Sequence, residues 1–190
     1  MKAKCTTGPI YSFYNKYIGG GRMRSIRCIV VHHSASAWGD GAVVKEWHTA
    51  PKPKGNGWKA PGYHAVICNG YPNYSSYSSG KRVASADGRV DRILSEEKVA
   101  NGCKYANANG LHVCLIGDFD KGLPTDNQLR KLEDILKHWC NKYGLNPAAD
   151  IYGHGEMQKK LGKEGYSKTC PGKKVDMKNI RKRIAELMKK

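Results

Sequence analysis

The sequence has no long hydrophobic run, few acidic residues and no even set of cysteines. No apolar stretch in its 190 residues approaches the length of about 20 residues that a helix needs to cross a bilayer. The first 24 residues also lack a continuous apolar segment followed by a small-residue cleavage site, which a secretory signal would have. We therefore expect synthesis in the cytoplasm, and delivery by another route to any target outside the membrane.

The cysteines number seven, and an odd count in a chain without a signal argues against a disulfide scaffold. Cys28, Cys68 and Cys114 each lie inside an apolar run. We predict that these three are buried thiols that pack as small hydrophobic side chains.

Acidic residues are scarce, since 16 of them face 33 lysines and arginines, which leaves a formal net charge of +17. The basic residues are enriched at both ends: six precede Ile29 with no acidic residue among them, and twelve against four acidic ones follow from Glu156 onward. This charge predicts attraction to polyanions, which include nucleic acid, anionic lipid and anionic envelope polymers.

The length and a hydrophobic share of 39% fit one globular domain. We predict a basic N-terminal arm over residues 1–24 and a folded domain over residues 25–190. The arm has two interpretations that we weight equally, a loosely packed terminus and a segment that binds the anionic envelope.

Hydrophobic patterns predict strands that alternate with helices, which is typical of an α/β domain with one central sheet. The best helix, Pro124–Gly144, has capping-box spacing between Thr125 and Gln128 and a glycine stop. Polar turn residues fill Asn69–Gly80, and Arg82–Val90 is predicted to form a hairpin that turns at Asp87-Gly88. The remaining predicted elements are strands at Ser25–Val31, Tyr63–Ile67 and Leu111–Ile116 and helices at Val43–His48 and Met177–Leu187.

Three segments carry histidine or cysteine where a predicted strand or turn ends: His32-His33, His154, and Cys170 before a proline. Two imidazoles and one thiolate are a suitable ligand set for zinc, and three protein ligands leave the fourth position open for water. Adjacent side chains on a strand point to opposite faces, so only one of His32 and His33 can reach the metal. Each residue alone has an ordinary alternative, a surface or core histidine or a buried thiol at a turn.

Five motifs follow one another in order along the chain: Ile29–Ala35, Gly57–His64, Val113–Gly117, Gly153–Glu156 and Lys168–Pro171. Together they make the pattern specific, and they resemble the type 2 N-acetylmuramoyl-L-alanine amidase family, which includes phage lysozymes and animal peptidoglycan-recognition proteins. The resemblance covers roughly Ser25 to Leu187, with a gap at the tyrosine-rich insertion. It implies a mixed sheet flanked by helices, with zinc at the floor of a substrate groove.

The resemblance also implies roles for particular residues. It points to His32, His154 and Cys170 as zinc ligands, and to Tyr63 and Lys168 as residues that assist catalysis. The alternatives are a core aromatic at Tyr63 and a solvated charge in a lysine-rich tail at Lys168.

Two further residues of the motifs are candidates for substrate contact, Trp58 and His64. Trp58 either lines the groove or covers the core. His64, like His33, has the alternative of packing or of orienting its neighbours.

The chain departs from the family pattern at two places. His112 stands where a glycine usually precedes the Val-Cys-Leu strand, and Val99–Cys103 lacks a histidine that several members carry there. The missing histidine concerns the details of substrate binding rather than the zinc site.

The implied activity is hydrolysis, by a zinc-activated water, of the amide bond between N-acetylmuramic acid and L-alanine. Peptidoglycan is then the expected partner, and the protein is expected to act as a monomer in the cell wall or periplasm. The basic termini are expected to bind anionic envelope polymers or lipids. The first alternative is a non-catalytic peptidoglycan-binding module of the same fold. A nucleic-acid-binding protein with a structural zinc is disfavoured, because the ligands lack zinc-finger spacing and the basic residues form no recognisable reading motif, so no specific nucleic acid is expected.

Overall fold

The computed structural model describes residues 24–163 and 169–189. All of the predicted arm except Arg24 lies outside the described residues, and so does Lys168. Arg24 donates hydrogen bonds from its guanidinium to the backbone carbonyls of Lys98 and Gly110, so this residue contacts the folded domain.

A mixed five-stranded sheet in the order β3-β2-β4-β1-β5 forms the centre of the fold. Four strands run parallel and β3 pairs antiparallel with β2 at one edge. The fold class predicted from the sequence, an α/β domain with a central mixed sheet flanked by helices, is confirmed. The strands are β1 Cys28–His33, β2 Ala65–Asn69, β3 Asp87–Arg92, β4 Gly110–Leu115 and β5 Ile151–Gly153.

Helices cover both faces of this sheet, as parallel strands require because their connections must cross over it. The helices are α1 Gly41–Thr49, α2 Tyr74–Ser78, α3 Asp126–Tyr143, α4 Pro147–Asp150, α5 His154–Lys160 and α6 Met177–Leu187, with a short 3₁₀ turn at Ala84–Ala86.

The longest helix, α3, begins and ends where its sequence predicts. The Thr125 hydroxyl accepts from the Gln128 backbone N–H at 3.1 Å, and the Gln128 side chain accepts from the Thr125 N–H at 3.1 Å. Gly144 adopts a left-handed conformation with φ 65°, which closes the helix. The buried face of α3 packs on the sheet together with Ile180 and Ile184 of α6.

Alternation along β1 separates two apolar layers. Ile29 and Val31 belong to the large core under α3 and α6. Val30 and Cys28 face the other side, where they pack with Met157 of α5. Because side chains alternate along a strand, His32 follows Val30 onto this second face, and the site described below lies there.

The predicted hairpin at Arg82–Val90 is wrong. Asp87 and Gly88 begin strand β3, and the antiparallel partner of β3 is β2, so the connection between the two is the tyrosine-rich insertion. Asp87 stays extended because its carboxylate accepts hydrogen bonds at 2.7 Å from Thr125 and Asn127, at the N-terminus of α3. These long-range hydrogen bonds therefore outweigh the local preference of Asp87-Gly88 for a turn.

The six described cysteines are free thiols. Cys28, Cys68 and Cys114 are buried as predicted, and Cys170 is the one member of the six that is partly exposed. Within residues 24–163 and 169–189, none of the helices is long and apolar enough to cross a membrane.

Glu96 fastens the segment after β3 to the end of α3. Its carboxylate accepts hydrogen bonds at 2.7 Å from Trp139, Lys142 and Tyr143, and it pairs with Arg92 at 3.2 Å. Burial raises the pKa of Glu96, but the hydrogen bonds from Lys142, Tyr143 and Trp139 outweigh that effect and bring the pKa down to about 2.

We predict that Glu96→Gln lowers the free energy of unfolding at pH 7 by about 2–3 kcal/mol, because the substitution removes a charged acceptor from four donors. The folded-state pKa is depressed, so the contribution is present above the unfolded pKa of about 4.3 and is lost as the pH falls toward 2. Denaturant unfolding at a series of pH values measures this. The exposed neighbour Glu97→Gln is the matched control, and equal stability of the two variants at pH 7 would contradict the assignment.

Candidate metal centre

Strand β1 carries the first candidate ligand to the end of the sheet. His32 is 1% exposed and lies on the face opposite the large core. His33 turns to the other side, where its ring lies 6.0 Å from that of Phe119 and its Nδ1 accepts from the Phe119 N–H at 3.2 Å. Of the two adjacent histidines, His32 is therefore the one that faces the other candidate ligands.

Strand β5 places the second ligand beside the first. Val31 pairs with Gly153 in a parallel register, so both strands end at the same edge of the sheet, and His154 follows directly as the first residue of α5. The ring centroids of His32 and His154 are 4.7 Å apart.

The segment that bears Cys170 crosses the start of α5. The carbonyl of Cys170 accepts from the Gly155 N–H at 2.8 Å. A Cβ at Gly153 would lie 2.7 Å from Pro171 Cδ, so a glycine is needed for the two segments to pass this closely.

The nitrogen and sulfur atoms of His32, His154 and Cys170 all lie within 4.8 Å of one another. The atom of His32 that faces the thiol is Nδ1, 3.9 Å from Cys170 Sγ. Tetrahedral zinc with bonds of 2.0–2.3 Å needs ligand atoms ~3.3–3.6 Å apart, so small side-chain adjustments suffice. No fourth histidine, cysteine or carboxylate joins this group within the described part of the chain.

Burial sets the protonation of all three side chains. It lowers the pKa of His154 to about 4 and, with His154 and His112 nearby, holds the pKa of His32 well below its usual range. Burial also raises the pKa of Cys170 to about 12, although a hydrogen bond from the His33 backbone acts to lower it. The imidazoles are thus already in the neutral form that binds metal, whereas the thiol must lose a proton.

Tyr63, just before β2, lies against the first ligand. Its ring centroid is 4.9 Å from that of His32 and 5.2 Å from that of His48. Burial raises the pKa of Tyr63 well above 10, and a hydrogen bond with Cys114 acts in the same direction. Tyr63 is therefore a neutral phenol at pH 7.

The two candidates for substrate contact differ. Trp58 is partly exposed, stacks on His48 with ring centroids 4.7 Å apart, and lines a cavity of about 380 Å³ with Asn101 and Asn107. His64 is fully buried, and its two ring nitrogens face the Lys98 carbonyl at 3.1 Å and the His112 N–H at 3.0 Å. Both ring nitrogens are thus engaged within the described residues, which favours for His64 the alternative of packing over substrate contact.

One residue of the site was assigned no role from the sequence. His112 on β4 lies with its Nδ1 3.0 Å from His32 Nε2. The alternation of side chains along strands could have indicated this contact from the sequence. Strand β4 runs beside β1, and alternation puts His112 and Cys114 on the same face as His32.

The sequence matches one family model. The model of the Amidase_2 family, described as N-acetylmuramoyl-L-alanine amidase, matches residues 22–173. None of the curated proteins matches the sequence.

Solved structures share the fold at low sequence identity. N-acetylmuramoyl-L-alanine amidase LysC from Clostridium intestinale URNW has a TM-score of 0.64 at 20% identity, covering 85% of this chain and 86% of LysC. The Ph2119 endolysin from Thermus scotoductus MAT2119 bacteriophage Ph2119 has a TM-score of 0.57 at 22% identity, covering 92% and 96%. A Drosophila PGRP-LB mutant in complex with tracheal cytotoxin has a TM-score of 0.57 at 16% identity, covering 82% and 85%.

We predict that zinc binding at pH 7 releases about one proton per ion, because the Cys170 thiol is protonated without metal and the two imidazoles are not. Calorimetry in two buffers of different ionisation enthalpy measures the number. Cys170→Ala should lose both tight binding and proton release, whereas Cys140→Ala, at the far end of α3, should keep both. Proton uptake, or unchanged release by Cys170→Ala, would contradict the ligand assignment.

Proposed function

Because the chain belongs to the Amidase_2 family of N-acetylmuramoyl-L-alanine amidases, we propose that it is a zinc-dependent peptidoglycan hydrolase of the endolysin kind. The family and the fold assign it to the hydrolases and binders of peptidoglycan. The bond that we propose it cuts joins N-acetylmuramic acid to L-alanine. The observation that carries the proposal is the convergence of His32, His154 and Cys170 without a fourth protein ligand among the described residues.

The donor set argues for catalysis rather than for a structural site. A closed structural zinc site uses four side chains, whereas a catalytic one uses three and leaves a position for solvent. When bound there, zinc would supply a water molecule of pKa about 7 and a Lewis acid for the amide carbonyl. His32, His154 and Cys170 would hold the ion.

The surrounding residues would act on the substrate. Tyr63 is placed beside His32 as a neutral hydrogen-bond donor, suited to orient the attacking water or the amide carbonyl oxygen. Lys168 lies outside the described residues, and its proposed role rests on its position two residues before Cys170 in the sequence and on the family resemblance. Its ammonium would stabilise the negative charge that develops on the carbonyl oxygen. Trp58 would line the groove beside them.

A digest of purified cell walls tests the proposal. We expect release of soluble material that a zinc chelator abolishes and added zinc restores. Mass spectrometry of the products should show free stem peptides that begin with L-alanine and intact glycan strands. Cleaved glycan would refute the proposed bond, and binding to walls without release, at full zinc occupancy, would favour a non-catalytic peptidoglycan-binding module.

The two assisting residues give a second prediction. Lys168→Ala and Tyr63→Phe should each lower kcat by about a hundredfold or more, since each removes a donor needed in the transition state. Zinc stoichiometry and thermal stability should stay close to those of the wild type. Lys173→Ala, a nearby exposed lysine, is the control. Wild-type turnover in either variant would remove that residue from the mechanism.

We also propose that the basic termini concentrate the protein at anionic envelope polymers or lipids. Binding to isolated walls should weaken as salt rises from about 50 mM to about 300 mM, because salt screens exposed charges. Replacing Lys2, Lys4 and Lys16 with glutamine should reduce the binding and its salt dependence while kcat on soluble muropeptides stays unchanged. Binding that is insensitive to salt would contradict this role.

A further inference from the structure

His112 is a second buried imidazole in contact with the metal centre, and it stands where the family pattern has glycine. It lies on β4, the parallel neighbour of β1, and is 0% exposed. Its Nδ1 is 3.0 Å from Nε2 of His32, an ordinary hydrogen-bond distance between two ring nitrogens. One of the two rings must donate this bond and the other must accept it.

The direction of the bond follows from the other nitrogen of His32. That atom, Nδ1, faces Cys170 Sγ at 3.9 Å, so it is the atom that would bind the ion and it must then carry no proton. A neutral His32 therefore carries its proton on Nε2 and donates it to Nδ1 of His112. The reverse direction would put the proton of His32 on the metal-binding atom.

The ring of His112 is held in place by its surroundings. The backbone N–H of His112 donates to His64 Nδ1 at 3.0 Å, its carbonyl accepts from the His64 N–H at 2.9 Å, and the two rings stack with planes 12° apart. A Cβ at Gly102 would lie 2.7 Å from His112 Nδ1. The two places where the chain departs from the family pattern are therefore in contact. The segment Val99–Cys103, which lacks a histidine, passes next to His112, which replaces a glycine.

An imidazole used only to fill space would be an unfavourable choice here. His112 Nε2 is buried and has no hydrogen-bond partner among the described residues. An unsatisfied buried polar atom costs about 1–3 kcal/mol, which an apolar ring of similar size would avoid. Within residues 24–163 and 169–189, the contact with His32 is the hydrogen bond that the ring nitrogens of His112 make.

We propose that His112 is a positioning residue of the metal centre: by accepting the Nε2 proton of His32, it fixes the tautomer and orientation that bind zinc. This inference rests on the proposed zinc site. Partners of this kind on metal-bound histidines typically contribute 10- to 100-fold in metal affinity. The usual acceptors are carboxylates, backbone carbonyls or water, and in this chain a second imidazole takes that role.

The test compares His112→Phe, which keeps the ring volume, with His112→Gln, which restores an acceptor. Chelator competition should give a zinc dissociation constant that is ~10- to 100-fold weaker for His112→Phe and within a few-fold of wild type for His112→Gln. The exposed His138→Phe is the control and should change nothing. Wild-type affinity in a folded His112→Phe, or no recovery in His112→Gln, would overturn the proposal.

A measurement on the zinc-loaded wild-type protein needs no substitution. Long-range ¹H–¹⁵N NMR should show His32 protonated at Nε2, and His112 protonated at Nε2 with Nδ1 as acceptor. A proton on His112 Nδ1 would overturn the proposal even with zinc bound. Failure of the underlying function would look different: the wild type would bind no zinc, or would bind it without cutting peptidoglycan.

Discussion

The parallel register of β1 against β5 is the constraint on which the site depends. Because Val31 pairs with Gly153, the residues that follow these two positions, His32 and His154, leave the sheet at the same edge. The close passage of Pro171 over Gly153 then brings Cys170 to the same place. A shift of one residue in this register would turn His32 to the side of the large core, since strand side chains alternate between faces.

Burial has opposite consequences for the two kinds of ligand. It keeps the pKa of His32 and His154 low, so both imidazoles are ready to bind at neutral pH, and it keeps the thiol of Cys170 protonated. In the proposed reaction, the same low-polarity surroundings would strengthen the interactions that stabilise a developing oxyanion. If the site binds zinc as proposed, loading it at neutral pH would therefore require one proton to leave, from the thiol.

Much of the fold and of the candidate site was predictable from local sequence patterns. The period of 3.6 and the capping box at Thr125 located α3, and the run of apolar residues before His32 located β1. The order of the motifs gave the fold and the candidate ligands. The false hairpin at Asp87-Gly88 shows the limit of local signals, because its carboxylate is held by residues about 40 positions away in sequence.

The contacts of His64 and His112 were harder to predict from the sequence, for the same reason. His64 belongs to a motif, yet its ring nitrogens face the Lys98 carbonyl and the His112 backbone rather than the groove. His112 interrupts a motif, yet it is within hydrogen-bond distance of His32. Which neighbour a buried histidine meets depends on strand order and register, and neither is encoded in any single segment.

The central claim is that two imidazoles and one thiolate share an ion that keeps one position for solvent. X-ray absorption spectroscopy at the zinc edge of the loaded protein tests it most directly. We expect one sulfur at about 2.3 Å and three nitrogen or oxygen neighbours at about 2.0–2.1 Å, of which two show the outer-shell scattering of imidazole. A shell without sulfur, or one with four protein ligands, would contradict it.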